Sequence, residues 1–420
     1  MTITPTRSLT GEITAPSSKA QTHRALVAGL LSEGTTIIIN PLSCDDTEAT
    51  ASAVSALGGK LTKNRTAWTV DGRGRPQPAD GEINCRESGV TLRFMIPIAS
   101  LTGSKTTFRV SAGLARRPLE PLADAMKQLD VNVAADQETV RIEGGAPRGG
   151  VVRIRGDVSS QFISGLLFAG PLMENGLRLE STSPLESRSY ASLTIETMRK
   201  HGTTVRANRS MTEFEIKKGQ RYSTSSHRIG GDFSSAAFLL AAAAITSSKV
   251  IVHGLSPNSP EPDSAVIGIL RQMGAHITVE DDGLLIEGGK LKSTVVDIRD
   301  SPDLGPVLAV LGCCAEGESR VTGALRLRYK ESDRLATVTS ELKGLGADVK
   351  ETDDGFVTRG PSFLSGGVVR AHGDHRVAMA LSIAALGTSD KVTIEGAECV
   401  SKSYPNFFDD LRSLGVEVIG

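Results

Sequence analysis

The sequence predicts an α/β protein of two domains, each built from three βαβαββ repeats with helices inside and sheets outside. Two observations carry that expectation. The first is length: 420 residues are too many for one hydrophobic core to serve well, so the chain divides. The second is an internal repeat. Leu57-Gly58-Gly59, Leu129-Asp130-Val131, His201-Gly202-Thr203, Met273-Gly274-Ala275, Leu345-Gly346-Ala347 and Leu414-Gly415-Val416 each close a helical signal and open an alternating one. Their central positions fall every 72 residues from 58 to 346, and the last follows after 69.

Within each repeat the elements read in order as strand, helix, strand, helix and hairpin. Short β-branched runs such as 36–40 and 249–253 mark buried strands. Amphipathic stretches such as 119–129 and 332–345 mark helices, and the residue after each second helix suits a left-handed C′ position. Strand–turn–strand signals such as "HITVEDDGLLIEGG" and "VNVAADQETVRIEGG" complete the units. Six units split most simply into three and three, with the boundary after the third hairpin, in the Ser/Thr-rich stretch 222–226.

Composition narrows the class. Acidic and basic residues nearly cancel, 48 against 47, which argues against bulk binding to nucleic acid or an anionic membrane. Aromatics are 4% with one Trp, too few for base-stacking platforms. Cys44, Cys85, Cys313, Cys314 and Cys399 show no CxxC spacing, so neither a zinc site nor a disulfide framework is expected, and the compartment is reducing. The N-terminus lacks a signal or transit pattern, and the apolar runs near 236–246 and 304–315 are too short to span a bilayer. A cytoplasmic protein is expected.

Six segments break the bland pattern. Ser17 to Arg24 puts hydroxyls, Lys19 and Arg24 at a helix start, where free amides and the helix dipole favour an anion. Asp157-Val158-Ser159-Ser160-Gln161 opens a helix that is apolar almost all round. Lys330-Glu331-Ser332-Asp333-Arg334, Gly373-Asp374-His375-Arg376, Ser401-Lys402 and Arg116-Arg117-Pro118 place further cations at helix starts. Each segment alone reads as a capped helix with surface cations. Together they give Lys19, Arg24, Arg117, Arg334, Arg376 and Lys402 at comparable places across both halves, with Asp303 and Glu331 among similar elements. A cleft between two domains lined this way suits substrates carrying phosphates and carboxylates. No P-loop and no GxGxxG is present.

The segments "SSKAQTHRAL", "RRPLEPL", "GDVSSQF", "KESDRL", "GDHRVAMA" and "SKSYPNF", in this order, resemble the signatures of the 5-enolpyruvylshikimate-3-phosphate synthase family, and the resemblance runs over essentially the whole chain. It implies the two-domain enolpyruvyl transferase fold. One domain would span 15–226 with repeats one to three, the other 1–14 plus 227–420 with repeats four to six, and the active site would lie in the interdomain cleft. It implies transfer of the enolpyruvyl group of phosphoenolpyruvate to the 5-hydroxyl of shikimate 3-phosphate, by a monomer needing no metal or organic cofactor. Lys19 matches the lysine that reaches both substrates. Arg24, Ser159, Ser160, Gln161, Ser187, Tyr190, Asp303, Arg326 and Lys330 fall on the shikimate 3-phosphate side. Gly89, Arg117, Gln161, Arg334, Arg376 and Lys402 fall around phosphoenolpyruvate, with His375 beside them. Asp303 and Glu331 match the family's two acid–base carboxylates. Ala20, Glu87, Val90 and Arg326 depart from the commoner Ser, Asn, Thr and Asn. The sister enzyme acting on UDP-N-acetylglucosamine usually carries a Lys-Asn pair and often a loop cysteine; here the pair is Lys19-Ala20, and no cysteine lies between Cys85 and Cys313. A non-catalytic binder of anionic metabolites, or an RNA-end-processing relative of the repeat fold, would lack one of the carboxylates or cations.

Overall fold

The structure is a computed structural model that describes every residue, Met1–Gly420. The chain forms two compact units, Ser17–Ile229 on one side and Met1–Pro16 with Gly230–Gly420 on the other. Each holds its own apolar core and three four-stranded sheets.

All six sheets share one order, two parallel strands followed by two antiparallel ones, and in the second, third and fifth the parallel pair is joined by a helical crossover and the antiparallel strands come from the hairpin. In the second repeat Ile83–Arg86 lies parallel to Thr106–Val110, which pairs with Thr139–Ile142 and then Val133–Ala135. In the fifth, Val295–Asp297, Gly317–Thr322, Gly355–Gly360 and Asp348–Thr352 repeat that order. Three sheets are closed by strands from far along the chain. Ser226–Arg228 opens the first sheet beside Glu33–Ile39. Glu12–Thr14 opens the fourth beside Lys249–His253. Thr2–Ile3 sits in the sixth between Val392–Glu395 and Val418–Ile419.

The first helix of each repeat is buried on nearly every face: Lys19–Leu31, Gly89–Ser100, Ser160–Ala169, Phe233–Ile245, Gly305–Cys314 and His375–Leu386. Such a helix has no wet side, so its polar residues gather at its ends. The second helices bury only one face, as in Glu120–Lys127, Arg188–Lys200 and Arg334–Gly344. The strand expected at 36–40 starts earlier, as Glu33–Ile39, and stops where Asn40 turns to φ +54°. The helix expected at 332–345 is Arg334–Gly344, because the Asp333 side chain accepts from the Leu335 and Ala336 amides and fixes the start there. The turn after each second helix has positive φ, from +60° at Asp130 to +100° at Gly274, which five of the six repeats meet with glycine. No helix is long and apolar enough to cross a membrane.

Candidate active site

In the unit containing Gly230–Gly420, the sequence-predicted residues converge on one buried guanidinium. Arg334 is the first residue of its helix and only 1% exposed. Its Nη1 lies 2.9 Å from Asp303 Oδ1, its Nη2 2.7 Å from Glu331 Oε2, and its Nε 2.8 Å from Asp374 Oδ2. Burial alone would lower its proton affinity, but Asp374, Glu331 and Asp303 more than offset this and hold it above the ordinary arginine value. The two acid–base candidates therefore share one cation.

Each carboxylate has a second cation. Lys330 Nζ is 3.3 Å from Asp303 Oδ1, and Lys402 Nζ is 3.2 Å from Glu331 Oε1. Burial lowers the Lys330 ammonium to about 8; Asp303 pulls it back up, while Arg334 and Arg326 push it further down. Arg376 Nη2 stands 3.7 Å from Asp303 Oδ2, and its Nη1 donates to the Ser234 carbonyl at 2.6 Å. Arg326 Nη2 donates to the Arg299 carbonyl at 2.8 Å. His375 is buried at the start of its helix, next to Asp374, which caps that helix by accepting from the Arg376 amide.

The unit Ser17–Ile229 holds the others. Lys19 opens its helix after the N-cap Ser18, and its Nζ is 3.0 Å from Asp46 Oδ2. Arg24, one turn on, donates to Thr194 Oγ1 at 2.9 Å, to the Tyr190 carbonyl at 2.8 Å and to the Ala20 carbonyl at 2.9 Å. Ser187 stands at φ +54° before the helix Arg188–Lys200. Ser159 caps the helix Ser160–Ala169 and accepts from the Gln161 amide. Gln161 Oε1 accepts from Arg93 Nη1 at 2.8 Å. A Cβ on Gly89 would lie 3.1 Å from Arg117 Nη1 and 3.5 Å from Arg93 Nη1, so these two cations converge on that glycine. The departing residue Glu87 accepts from the Ser111 hydroxyl.

Three charged residues in these networks were missed by sequence reasoning: Asp46, Arg93 and Asp374. Asp374 stood inside "GDHR" and Asp46 in "CDDTEAT", both at helix starts, but nothing local assigns them partners. Arg93 sat inside an apolar helix, and an arginine there is the signal that could have found it.

The family model of EPSP synthase (3-phosphoshikimate 1-carboxyvinyltransferase) matches residues 3–411. The chain belongs to this family. Relatives named 3-phosphoshikimate 1-carboxyvinyltransferase agree: that of Methanocorpusculum labreanum is 40% identical, covering 98% of this chain and 97% of the relative. That of Clostridium kluyveri is 38% identical over 100% of this chain and 98% of its own, and that of Methanocaldococcus jannaschii 37% over 98% and 97%. An EPSP synthase structure from Acinetobacter baumannii superposes with a TM-score of 0.83 at 28% identity, covering 100% of this chain and 99% of that one. Relatives of this name are transferases, and so is this chain; chemically, paired carboxylates of this kind can exchange protons, and the cations around them can hold anionic groups.

Proposed function

We propose that this protein transfers the enolpyruvyl group of phosphoenolpyruvate to the 5-hydroxyl of shikimate 3-phosphate, releasing inorganic phosphate. The observation that carries the reading is the bridge from Asp303 through Arg334 to Glu331, flanked by Lys330, Arg376 and Lys402. In the first half-reaction the 5-oxygen adds to C2 of phosphoenolpyruvate, losing its proton, while C3 gains one. In the second, the C2–phosphate oxygen bond breaks and C3 gives up a proton, which restores the double bond as an enol ether. Asp303, beside Lys330, serves the 5-hydroxyl; Glu331, beside Lys402, serves C3. Two carboxylates on one buried cation suit this exchange, because a proton given to one changes the charge felt by the other.

The cations Arg117, Arg376 and Lys402 hold the donor's phosphate and carboxylate and stabilise the departing phosphate. Arg334 already makes four hydrogen bonds to carboxylates, so of its five N–H groups one Nη1 hydrogen is left for phosphoenolpyruvate. Lys19, Gly89 and Gln161 complete the donor side. Arg24, Ser159, Ser160, Gln161, Ser187 and Arg326 serve shikimate 3-phosphate. The protein acts as a cytoplasmic monomer. The test is phosphate release from phosphoenolpyruvate with shikimate 3-phosphate, run beside UDP-N-acetylglucosamine. Release with shikimate 3-phosphate, lowered at least about a hundredfold by Glu331→Ala, supports the reading. Release only with the nucleotide sugar refutes it.

A further inference from the structure

The geometry points to Asp263 as a positioning residue that tunes the charge at Arg376, and through it the affinity for phosphoenolpyruvate, by its own protonation. The inference rests on the reading of Arg376 as a phosphoenolpyruvate cation and deepens it.

Asp263 is fully buried in the turn Pro262–Ala265. It lies against the first turn of the helix Phe233–Ile245, which gathers three carboxylates. Asp232 caps the helix and accepts from the Ser235 amide at 2.8 Å. Glu261 accepts from the Phe233 amide at 3.1 Å. Asp263 accepts from the Ser234 hydroxyl. The same Ser234 presents its carbonyl to Arg376 Nη1 at 2.6 Å. One residue is thus held at its hydroxyl by Asp263 and at its carbonyl by Arg376, and the Arg376 guanidinium continues to Asp303.

The charged groups facing Asp263 are Asp303 from the turn Pro302–Leu304, Arg376 from the helix His375–Leu386, and Asp232 from the helix above. The helix Val266–Gln272 also packs on this turn. It buries Val266, while its arginine, Arg271, is bonded to the Ile277 carbonyl. Burial, then the charge of Asp303, raise the Asp263 carboxyl to about 6; Arg376 and the Ser234 hydrogen bond oppose that rise, and Asp232 adds to it. A carboxyl there changes charge just below neutrality.

The consequence follows from linkage. An anion arriving at Arg376 makes the neutral form of Asp263 more favourable, so the anion binds more tightly to the form in which Asp263 holds a proton. As pH rises through this titration, the ionised Asp263 opposes phosphoenolpyruvate at Arg376.

The experiment is kcat/KM for phosphoenolpyruvate between pH 5.5 and 8.5, at saturating shikimate 3-phosphate and constant ionic strength, for the wild type and Asp263→Asn. Asparagine keeps the shape and an acceptor for Ser234 and removes only the charge. Because both proteins meet the same substrate ionisation, the ratio of variant to wild type isolates Asp263. The ratio is expected to rise from about one at pH 5.5 to roughly fivefold to tenfold at pH 8. A ratio that is flat, or that falls with pH, assigns Asp263 to structure alone and overturns the inference. If Asp263→Asn does not fold, Ser234→Ala removes the bond that favours the ionised carboxylate while leaving the carbonyl that holds Arg376. The ratio of Ser234→Ala to wild type should then pass through a maximum between about pH 6 and 7, where only the variant keeps Asp263 protonated, and a ratio that does not change with pH overturns the inference. A wild type that does not turn over the two substrates overturns the parent reading as well, whereas a flat ratio in an active wild type overturns only the role of Asp263.

Discussion

Arg334 lies among three carboxylates, Asp303, Glu331 and Asp374, with almost no exposure to water. Removing one member of a buried charge network leaves the others uncompensated, at a cost of about 3–5 kcal/mol. Arg334→Met is therefore expected to destabilise the Gly230–Gly420 unit by that order, read by denaturant unfolding, besides abolishing turnover. A loss below about 1 kcal/mol would show that the carboxylates protonate or rehydrate freely. Gly89 gives a second residue-scale expectation. The Cβ of Gly89→Ala would stand 3.1 Å from Arg117 Nη1, tighter than an ordinary contact, so the guanidinium must give way. KM for phosphoenolpyruvate should rise several-fold, with a smaller change in KM for shikimate 3-phosphate; equal changes in both would place the fault elsewhere. Lys19, Arg24, Arg334 and Arg376 were legible in the sequence because polar residues preceding a buried apolar helix are conspicuous. Their partners were not legible: Lys19 and Asp46 are 27 positions apart, and Arg334 and Asp374 are 40 apart. No local pattern chooses between such distant carboxylates.

At the scale of elements, the starts of the buried helices carry most of the proposed site residues, since a helix apolar all round keeps its charged groups at its ends. The same packing leaves a histidine pair where the first and third repeats meet. His201, at the end of the helix Arg188–Lys200, stacks on His227 of the strand Ser226–Arg228, with Nε2 atoms 2.8 Å apart. His201 Nδ1 lies 2.7 Å from the Ser223 carbonyl, which can only accept, so the hydrogen sits on Nδ1 and His227 donates in the Nε2 contact. Burial lowers both rings to about 4. The folded values lie below the unfolded value of 6.5, so their contribution is complete above that pH and is lost as pH falls from 6.5 toward 4. It amounts to up to about 3 kcal/mol per ring. Protection of the Glu33–Ile39 amides against hydrogen exchange, corrected for intrinsic rates, should fall between pH 7 and 5, and His227→Gln should remove much of that fall. Unchanged protection at pH 5 would mean that the pair accommodates a proton.

At the scale of the whole chain, the two ends and the middle complete sheets that the repeats alone leave open. Thr2–Ile3 pairs on both sides, with Thr393 and Val392 and with Ile419 and Val418, and Ile3 is fully buried. Deleting residues 1–5 should expose one edge of the strand Val392–Glu395 and speed its amide exchange by about tenfold or more. The strand Leu177–Ser181, in the other unit, should keep its protection. Equal loosening of both would show that the N-terminal strand stabilises more than its own sheet.

The sequence by itself determined the repeat, the kinds of element within it, their turns and the polar segments from which the proposed site is drawn. These rest on short-range physics: period 3.6 against period 2, a left-handed residue after a helix, and polar residues before an apolar run. Only the tertiary structure decided that residues 2–3 lie beside 418–419, that Arg334 joins both carboxylates, and that Asp263 reaches Arg376 through Ser234. Those choices depend on which buried charges and open strand edges meet when each core closes. Closure is set by packing across hundreds of residues, which no local stretch of sequence contains.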